Sequence, residues 1–240
     1  MATEFVPTSV PDPDSGLPIG RDVNTHPAPR PERLVLEGRY VRLEPLDPAK
    51  HTDDLFGASH GPDKHVVWQY LFEPPFENVA AFRAHIERKA ASEDPLFYAI
   101  IDKTSGKAVG YETLMRIDAA HRVIEVGNIL YGTPLQKTPG ATEAQYLLMR
   151  YVFDTLGYRR YEWKCNSLNA PSRRAAERFG FSFEGIFRQH MLVRGRNRDT
   201  AWYSILDTEW PAQKAAFEAW LASENFDAAG QQRKRLNDFK

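Results

Sequence analysis

The sequence predicts one α+β domain, a mixed sheet covered by helices, and three observations carry that prediction. Residues 96–101 (Leu-Phe-Tyr-Ala-Ile-Ile) and 108–116 are strand-like runs separated by the turn Asp102-Lys103-Thr104-Ser105-Gly106-Lys107, the pattern of an antiparallel hairpin. A third strand, 122–131, runs straight into a polar turn that opens a long helix. From there to residue 206 strands and helices alternate, which requires a sheet with helices packed on it.

The elements are justified in chain order. Residues 1–31 carry prolines at 7, 11, 13, 18, 27, 29 and 31 and glycines at 16 and 20, so this proline-rich arm has little room for a helix or a central strand. Phe5, Val6, Leu17, Ile19 and Val23 are apolar enough for part of the arm to lie along a surface. The folded domain is expected over 32–212. Leu34 and Leu36, then residues 40–43, give short strands around a Glu37-Gly38 turn, and 48–56 suits a short helix. Asn78 can cap a helix over 79–90 that carries Phe82 and Ile86 on one flank. The helix over 142–156 has a broad apolar stripe of Ala144, Leu147, Leu148, Tyr151, Val152 and Phe153, ended by Gly157. Residues 161–166 return as a strand. The next helix runs from Ala170 or Pro171 to Arg178, with Asn169 near its start and Gly180 as its stop. Strands 183–193 and 200–206 flank the polar turn Arg194-Gly195-Arg196-Asn197-Arg198. Trp210, Phe217, Trp220 and Leu221 mark a last helix, and 213–240 reads as the C-terminal helix and a charged tail.

Composition narrows the function classes. With 240 residues, 42% of them hydrophobic and 26% charged, and a net charge of −1, the chain is an ordinary globular protein without the basic excess of a nucleic-acid partner. Cys165 is the only cysteine, so an intrachain disulfide or a cysteine-rich metal site is impossible. The seven histidines are scattered with no H-E-x-x-H spacing, and no metal is expected. No secretory leader pattern and no apolar run of 18 residues are present, which favours the cytoplasm and no membrane partner.

Two segments could carry chemistry. The turn Gln136-Lys137-Thr138-Pro139-Gly140-Ala141 opens a helix near Thr142, so its backbone N–H groups and the helix dipole can hold an anion, with Lys137 adding charge. Thr142 and Glu143 could equally be no more than a helix start. There is no G-x-x-x-x-G-K-S/T and no G-x-G-x-x-G run, so neither a P-loop nor a dinucleotide fingerprint is supported. The second segment holds Asn166, Asn169, Ser172, Arg173 and Arg174 just beyond a strand end. Asn169 can cap a helix or read an amide-containing ligand, and the two arginines can meet phosphates or form a solvated face.

Together these segments resemble the GNAT superfamily of N-acetyltransferases, and within it the branch of ribosomal-protein N-terminal acetyltransferases. The family's Gln/Arg-x-x-Gly-x-Gly/Ala signature is matched by residues 136–141, followed by Ala141-Thr142-Glu143-Ala144. Its Asn-x-x-Ser and Gly-Phe patterns correspond to Asn169-Ala170-Pro171-Ser172 and Gly180-Phe181, and its closing pattern to Gly195, Asp199 and Glu209-Trp210. The resemblance implies a splayed, mostly antiparallel mixed sheet with acetyl-CoA as acyl donor between the strands 122–131 and 161–166. It places the pyrophosphate on Gln136, Lys137, Thr138, Gly140, Ala141 and Thr142, the pantetheine arm along Val126, Gly127 and Asn169, Ser172 near the sulfur, and Arg173 among the phosphate-binding candidates. Two positions depart from the pattern: Pro139 stands where glycine is usual, and Ala176 where many members have a tyrosine that protonates the leaving thiolate. Ser172 or a water is then the replacement acid.

The acceptor would be a small-molecule or peptide amine. Glu125 is the first candidate base, because its strand should face the thioester, although period-2 alternation does not say to which face it points. Glu112 on the neighbouring strand is the second. His65, Trp68, Tyr70, Phe72 and Phe76 concentrate where the family's layout puts one wall of the acceptor pocket, with satellite-core packing as the plain alternative. Arg188, His190, Arg194, Arg196 and Arg198 form a basic hairpin that is either solvated or set to meet a carboxylate or phosphate on the acceptor. Competing readings are a non-catalytic acetyl-CoA-binding sensor and, more remotely, an RNA-docking module. The arm or a sheet edge could cross to a second copy in a homodimer.

Overall fold

The computed structural model describes residues 8–240, so the expected surface role of Phe5 and Val6 lies outside the described residues. Its framework is an eight-stranded sheet made of β3 (Leu36–Glu37), β4 (Val41–Pro45), β5 (Leu96–Asp102), β6 (Ala108–Asp118), β7 (Val123–Tyr131), β8 (Arg160–Asn166), β9 (Ser182–Val193) and β10 (Arg196–Leu206). The strand order is β3-β4-β5-β6-β7-β8-β10-β9. Only β7 and β8 run parallel, and every other neighbour is antiparallel. The mixed, mostly antiparallel sheet implied by the family resemblance is therefore present.

Alternation along the strands separates two cores. On one face Leu43, Tyr98, Ile100, Leu114, Ile124, Val126, Tyr161 and Tyr203 pack under α4 (Pro139–Arg150), α5 (Ala170–Arg178) and α6 (Trp210–Leu221). On the other, Phe97, Ala99, Ile101 and Tyr111 pack under α1 (Pro48–Ser59), the short α2 (Lys64–Val67) and α3 (Val79–Ala90). Asn78 caps α3 as expected, its side chain accepting from the Ala81 N–H.

Several boundaries move, each for a local reason. The helix expected from residue 142 starts at Pro139, because the Thr138 side chain caps it and proline fits the first helical position. Its last turn, Tyr151–Thr155, widens to a π-helix. The turn expected over 194–198 shrinks to Arg194-Gly195, both with positive φ (48° and 72°), the conformation of a tight hairpin. The arm is not wholly irregular: β1 (Ser9–Pro11) and β2 (Pro18–Gly20) pair as an exposed two-stranded ribbon, which proline tolerates because each strand has a free edge.

The division expected at 212/213 falls inside α6. Trp210, Phe217, Trp220 and Leu236 all belong to the main core. The tail does not decay into solvent, because Asn225 clamps it: its amide donates to the carbonyls of Trp220 and Lys234 and accepts from the Lys234 N–H. Glu143 supplies a second long-range tie. Its buried carboxylate accepts the N–H groups of Arg39, Tyr40 and Val41, fastening α4 to the β3–β4 turn. No helix among the described residues is long and apolar enough to cross a membrane.

Candidate active site

The site begins with a defect in strand pairing. Thr113 pairs with Gly127 and Tyr111 with Leu130, so β7 places Asn128 and Ile129 opposite the single residue Glu112. Asn128 absorbs the extra length at φ 48°. This bulge bends β7, and its parallel pairing with β8 runs only over 123–126 against 160–163. Beyond that point the strands diverge. Gly127, Asn128 and Ile129 on one side and Lys164, Cys165 and Asn166 on the other line a cleft of about 1210 Å³, roomier than most small-molecule pockets.

One end of the cleft is the start of α4. Gln136, Lys137, Thr138, Ala141 and Thr142 line it, together with Pro139. Lys137 takes φ 62°, and its N–H has no acceptor among the described residues. The first-turn amide of Gly140 has no intrahelical carbonyl to reach. Pro139 removes no useful donor beyond its own. Gly140 itself is demanded by packing as well: a Cβ there would come within 2.8 Å of Val41 Cγ1 on β4. Gln136 is held by its side-chain bond to the Tyr131 carbonyl.

Sequence reasoning missed the cation at this end. Arg178 donates to Thr142 Oγ1 at 3.0 Å and lies over the Trp220 and Phe179 rings, with no carboxylate partner among the described residues. Burial holds its guanidinium below the usual arginine range. The expected Arg173 is not in the cleft: its Nε donates to Tyr203 Oη, on the sheet side of α5. Arg174 and Arg178, one turn apart, line the cleft instead. The i,i+4 spacing could have grouped them against Arg173 and Glu177.

At the cleft's middle, Asn169 caps α5 by accepting from the Ser172 N–H. Ser172 Oγ accepts from Trp163 Nε1 at 3.0 Å, which leaves its own proton free to donate. Ala176 is wholly buried and faces the core. Burial also pushes the Cys165 thiol up, away from thiolate character.

The other end is built around Glu125. Ile124 and Val126 point into the α4 core, so Glu125 faces the α1–α3 side. Its Oε2 receives Lys164 Nζ at 2.9 Å and Arg116 Nη1 at 3.1 Å, while Oε1 has no donor among the described residues. Lys164 also reaches Glu162 at 2.6 Å and sits over the Trp202 ring. Burial raises the Glu125 carboxyl above the usual range, against the pull of Lys164 and Arg116. Tyr70 lines this end and donates to the Leu168 carbonyl at 3.0 Å, and His190 joins it from β9, bonded to Thr200.

Two expected acceptor residues are elsewhere. Trp68 is fully buried in the second core, its Nε1 donating to the Ser59 carbonyl. Glu112 shares the strand face of Leu114 and lies under α4, taking hydrogen bonds from Tyr131 Oη and Gln145 Nε2. It is fully buried, and burial raises its carboxyl to about 8.

Comparison with known proteins matches this geometry. The model of the acetyltransferase (GNAT) domain matches residues 41–182. A crystal structure of a GCN5-related N-acetyltransferase from Brucella melitensis is 60% identical, covering 90% of this chain and 98% of that one, with a TM-score of 0.89. A probable acetyltransferase (GNAT family) from Chromobacterium violaceum is 38% identical over 88% of this chain and all of its own, with a TM-score of 0.74. The Bacillus subtilis protein named "Putative ribosomal N-acetyltransferase YdaF" is 30% identical over 109 residues, which span 59% of its length and 45% of this chain. With the split strands, the open helix start and the matched domain, the chain belongs to the GNAT acetyltransferase family, whose members move an acetyl group from acetyl-CoA to an amine.

Proposed function

We propose that the cleft holds acetyl-CoA across the β7–β8 split and passes its acetyl group directly to a primary amine presented over Glu125. The observation that supports this most is the continuity of one cleft from the open amides of α4 to the buried carboxylate of Glu125. The chain's residues fit the donor. The Lys137 and Gly140 amides, the α4 dipole and Arg178 offer a positive, unpaired surface to the pyrophosphate. The β7 edge at Gly127, just past Val126 where the pairing with β8 ends, offers backbone partners to the pantetheine arm, and Asn169 borders its path.

Chemically, an amine arrives mostly as an ammonium and must lose a proton before it attacks. Glu125 Oε1 takes that proton. Burial makes the carboxylate basic enough to accept it, and Lys164 and Arg116 hold it in position. The nitrogen then bonds to the thioester carbonyl carbon, with a backbone N–H near Val126 or Gly127 stabilising the oxyanion. The carbon–sulfur bond breaks, Ser172 Oγ, oriented by Trp163, gives its proton to the departing thiolate, and the nitrogen's second proton passes through water back to Ser172 as the amide forms. Cys165 is no candidate for an acyl-enzyme nucleophile, because burial disfavours its thiolate.

The acceptor is read as a small molecule or a peptide amine. Isothermal titration of acetyl-CoA and desulfo-CoA, followed by an amine panel with thiol release as readout, tests the reading. One saturable site per chain and turnover of at least one amine are expected. No binding up to millimolar ligand would overturn the donor assignment.

A further inference from the structure

The acceptor end contains a charge that the transfer chemistry above does not use. Arg198 on β10 is only 9% exposed and lines the cleft. It forms no ion pair and no side-chain hydrogen bond among the described residues, and its Nε is buried without a partner. The Phe72 ring lies 5.3 Å from its guanidinium carbon. A buried guanidinium without an acceptor is costly. Arg194 of the same hairpin is exposed and yet donates to the Gln69 carbonyl at 2.9 Å.

The surroundings deepen the imbalance. Arg116 and Lys164 already share Glu125, and Lys164 also serves Glu162, which Arg160 takes as well. Glu125 attracts Arg198 through space, but no carboxylate among the described residues bonds to it. His190, on the adjoining strand, is held below its ordinary range by burial and then by the charges of Arg116, Arg198 and Lys164, so these cations share one space. The wall facing them is held in place, since Arg194 ties down Gln69 and Tyr70 is bonded to Leu168 across the cleft.

We propose that Arg198 is a substrate-recognition residue and that the acceptor is a primary amine bearing an oxyanion, a carboxylate or a phosphate, which pairs with its guanidinium. This rests on the transfer reading above and narrows its acceptor. Arginine's planar fork suits both oxyanions. The Phe72 ring keeps the cation in place while the site is open, and Glu125 remains free to take the amine's proton.

The test compares related amines with and without the anion, at equal concentrations of neutral amine: phenylalanine against phenylalaninamide, and O-phosphoethanolamine against ethanolamine. Two readouts are taken, kcat/KM with acetyl-CoA and the dissociation constant on protein saturated with desulfo-CoA. The wild-type protein is expected to prefer at least one anionic member by about tenfold to a hundredfold, the range of hydrogen bonds to charged groups. Arg198→Met is expected to bring that ratio close to one, and Arg198→Lys to keep part of it, with the acetyl-CoA dissociation constant and the far-UV circular dichroism confirming a folded protein. A ratio near one in wild type, or one unchanged in Arg198→Met, overturns the proposal. A binding preference without turnover of any amine would overturn the transfer reading and leave the anion site standing.

Discussion

Glu125 and Glu112 are two carboxylates on neighbouring strands, and alternation gives them opposite environments. Glu125 opens to the cleft among cations, while Glu112 is sealed under α4. Glu125→Gln keeps the shape and removes the base, so kcat should fall about 10²- to 10⁴-fold with the acetyl-CoA dissociation constant little changed. Because burial raises the Glu125 carboxyl, the wild-type rate should decline on acidification at a pH above the ordinary carboxylate range, and the variant's residual rate should lack that limb. Glu112 predicts a stability effect instead. Its folded carboxyl titrates at about 8 against an ordinary value of 4.5, so the folded state binds the proton more tightly. Stability is then greatest below the ordinary value and falls as pH rises towards 8. Glu112→Gln cannot ionise, and the drop in melting temperature between pH 5 and pH 8 should shrink. An unchanged slope would mean the carboxyl is ionised in the fold.

The elements show how local signals and pairing divide the information. The caps at Asn78, Asn169 and Thr138 sit next to the amides they satisfy, so a few residues of sequence were enough to find two of these helix starts. The expected start of α4, near Thr142, lies three positions after Pro139, because Thr138 caps the helix and proline fits its first position. Strand faces were not legible in the same way. Which side Glu125 occupies depends on how β7 pairs with β6 and β8, and whether Arg173 or Arg178 meets the cleft depends on how α5 lies on the sheet. Trp68 is expected among the acceptor residues from the aromatic cluster and the family's layout, and a core position satisfies its aromatic side chain equally well. The tie from α4 to the β3–β4 turn yields a prediction at this scale. Glu143→Ala leaves the Arg39, Tyr40 and Val41 amides without their shared acceptor, and should cost about 3 kcal/mol in chemical denaturation. It should also weaken acetyl-CoA binding, since α4 carries the anion-binding amides. A loss below about 0.5 kcal/mol, the size of an ordinary surface substitution, would show that water replaces the carboxylate.

In the whole molecule, the donor cleft is assembled from segments far apart in sequence, and the last of them is the tail. Gly230, Gln231 and Gln232 line the same cleft as the α4 amides. They are held there by the Asn225 clamp, by Trp220 Nε1 donating to Gln232 Oε1, and by Leu236 in the main core. Arg178 joins both sides, bonded to Thr142 and stacked on Trp220, while its own carbonyl accepts from Lys240 Nζ. A tail that only decorated the fold could loosen without consequence for the ligand. If it completes the cleft, loosening it reduces the fraction of molecules competent to bind, and the apparent dissociation constant rises in proportion. Asn225→Ala removes the clamp without replacing any residue that lines the cleft. It should raise the acetyl-CoA dissociation constant several-fold and increase amide hydrogen exchange across 226–240, with kcat at saturating donor retained because Glu125 and Ser172 are undisturbed. Faster exchange with an unchanged dissociation constant would show that the α4 amides and Arg178 hold the donor without the tail.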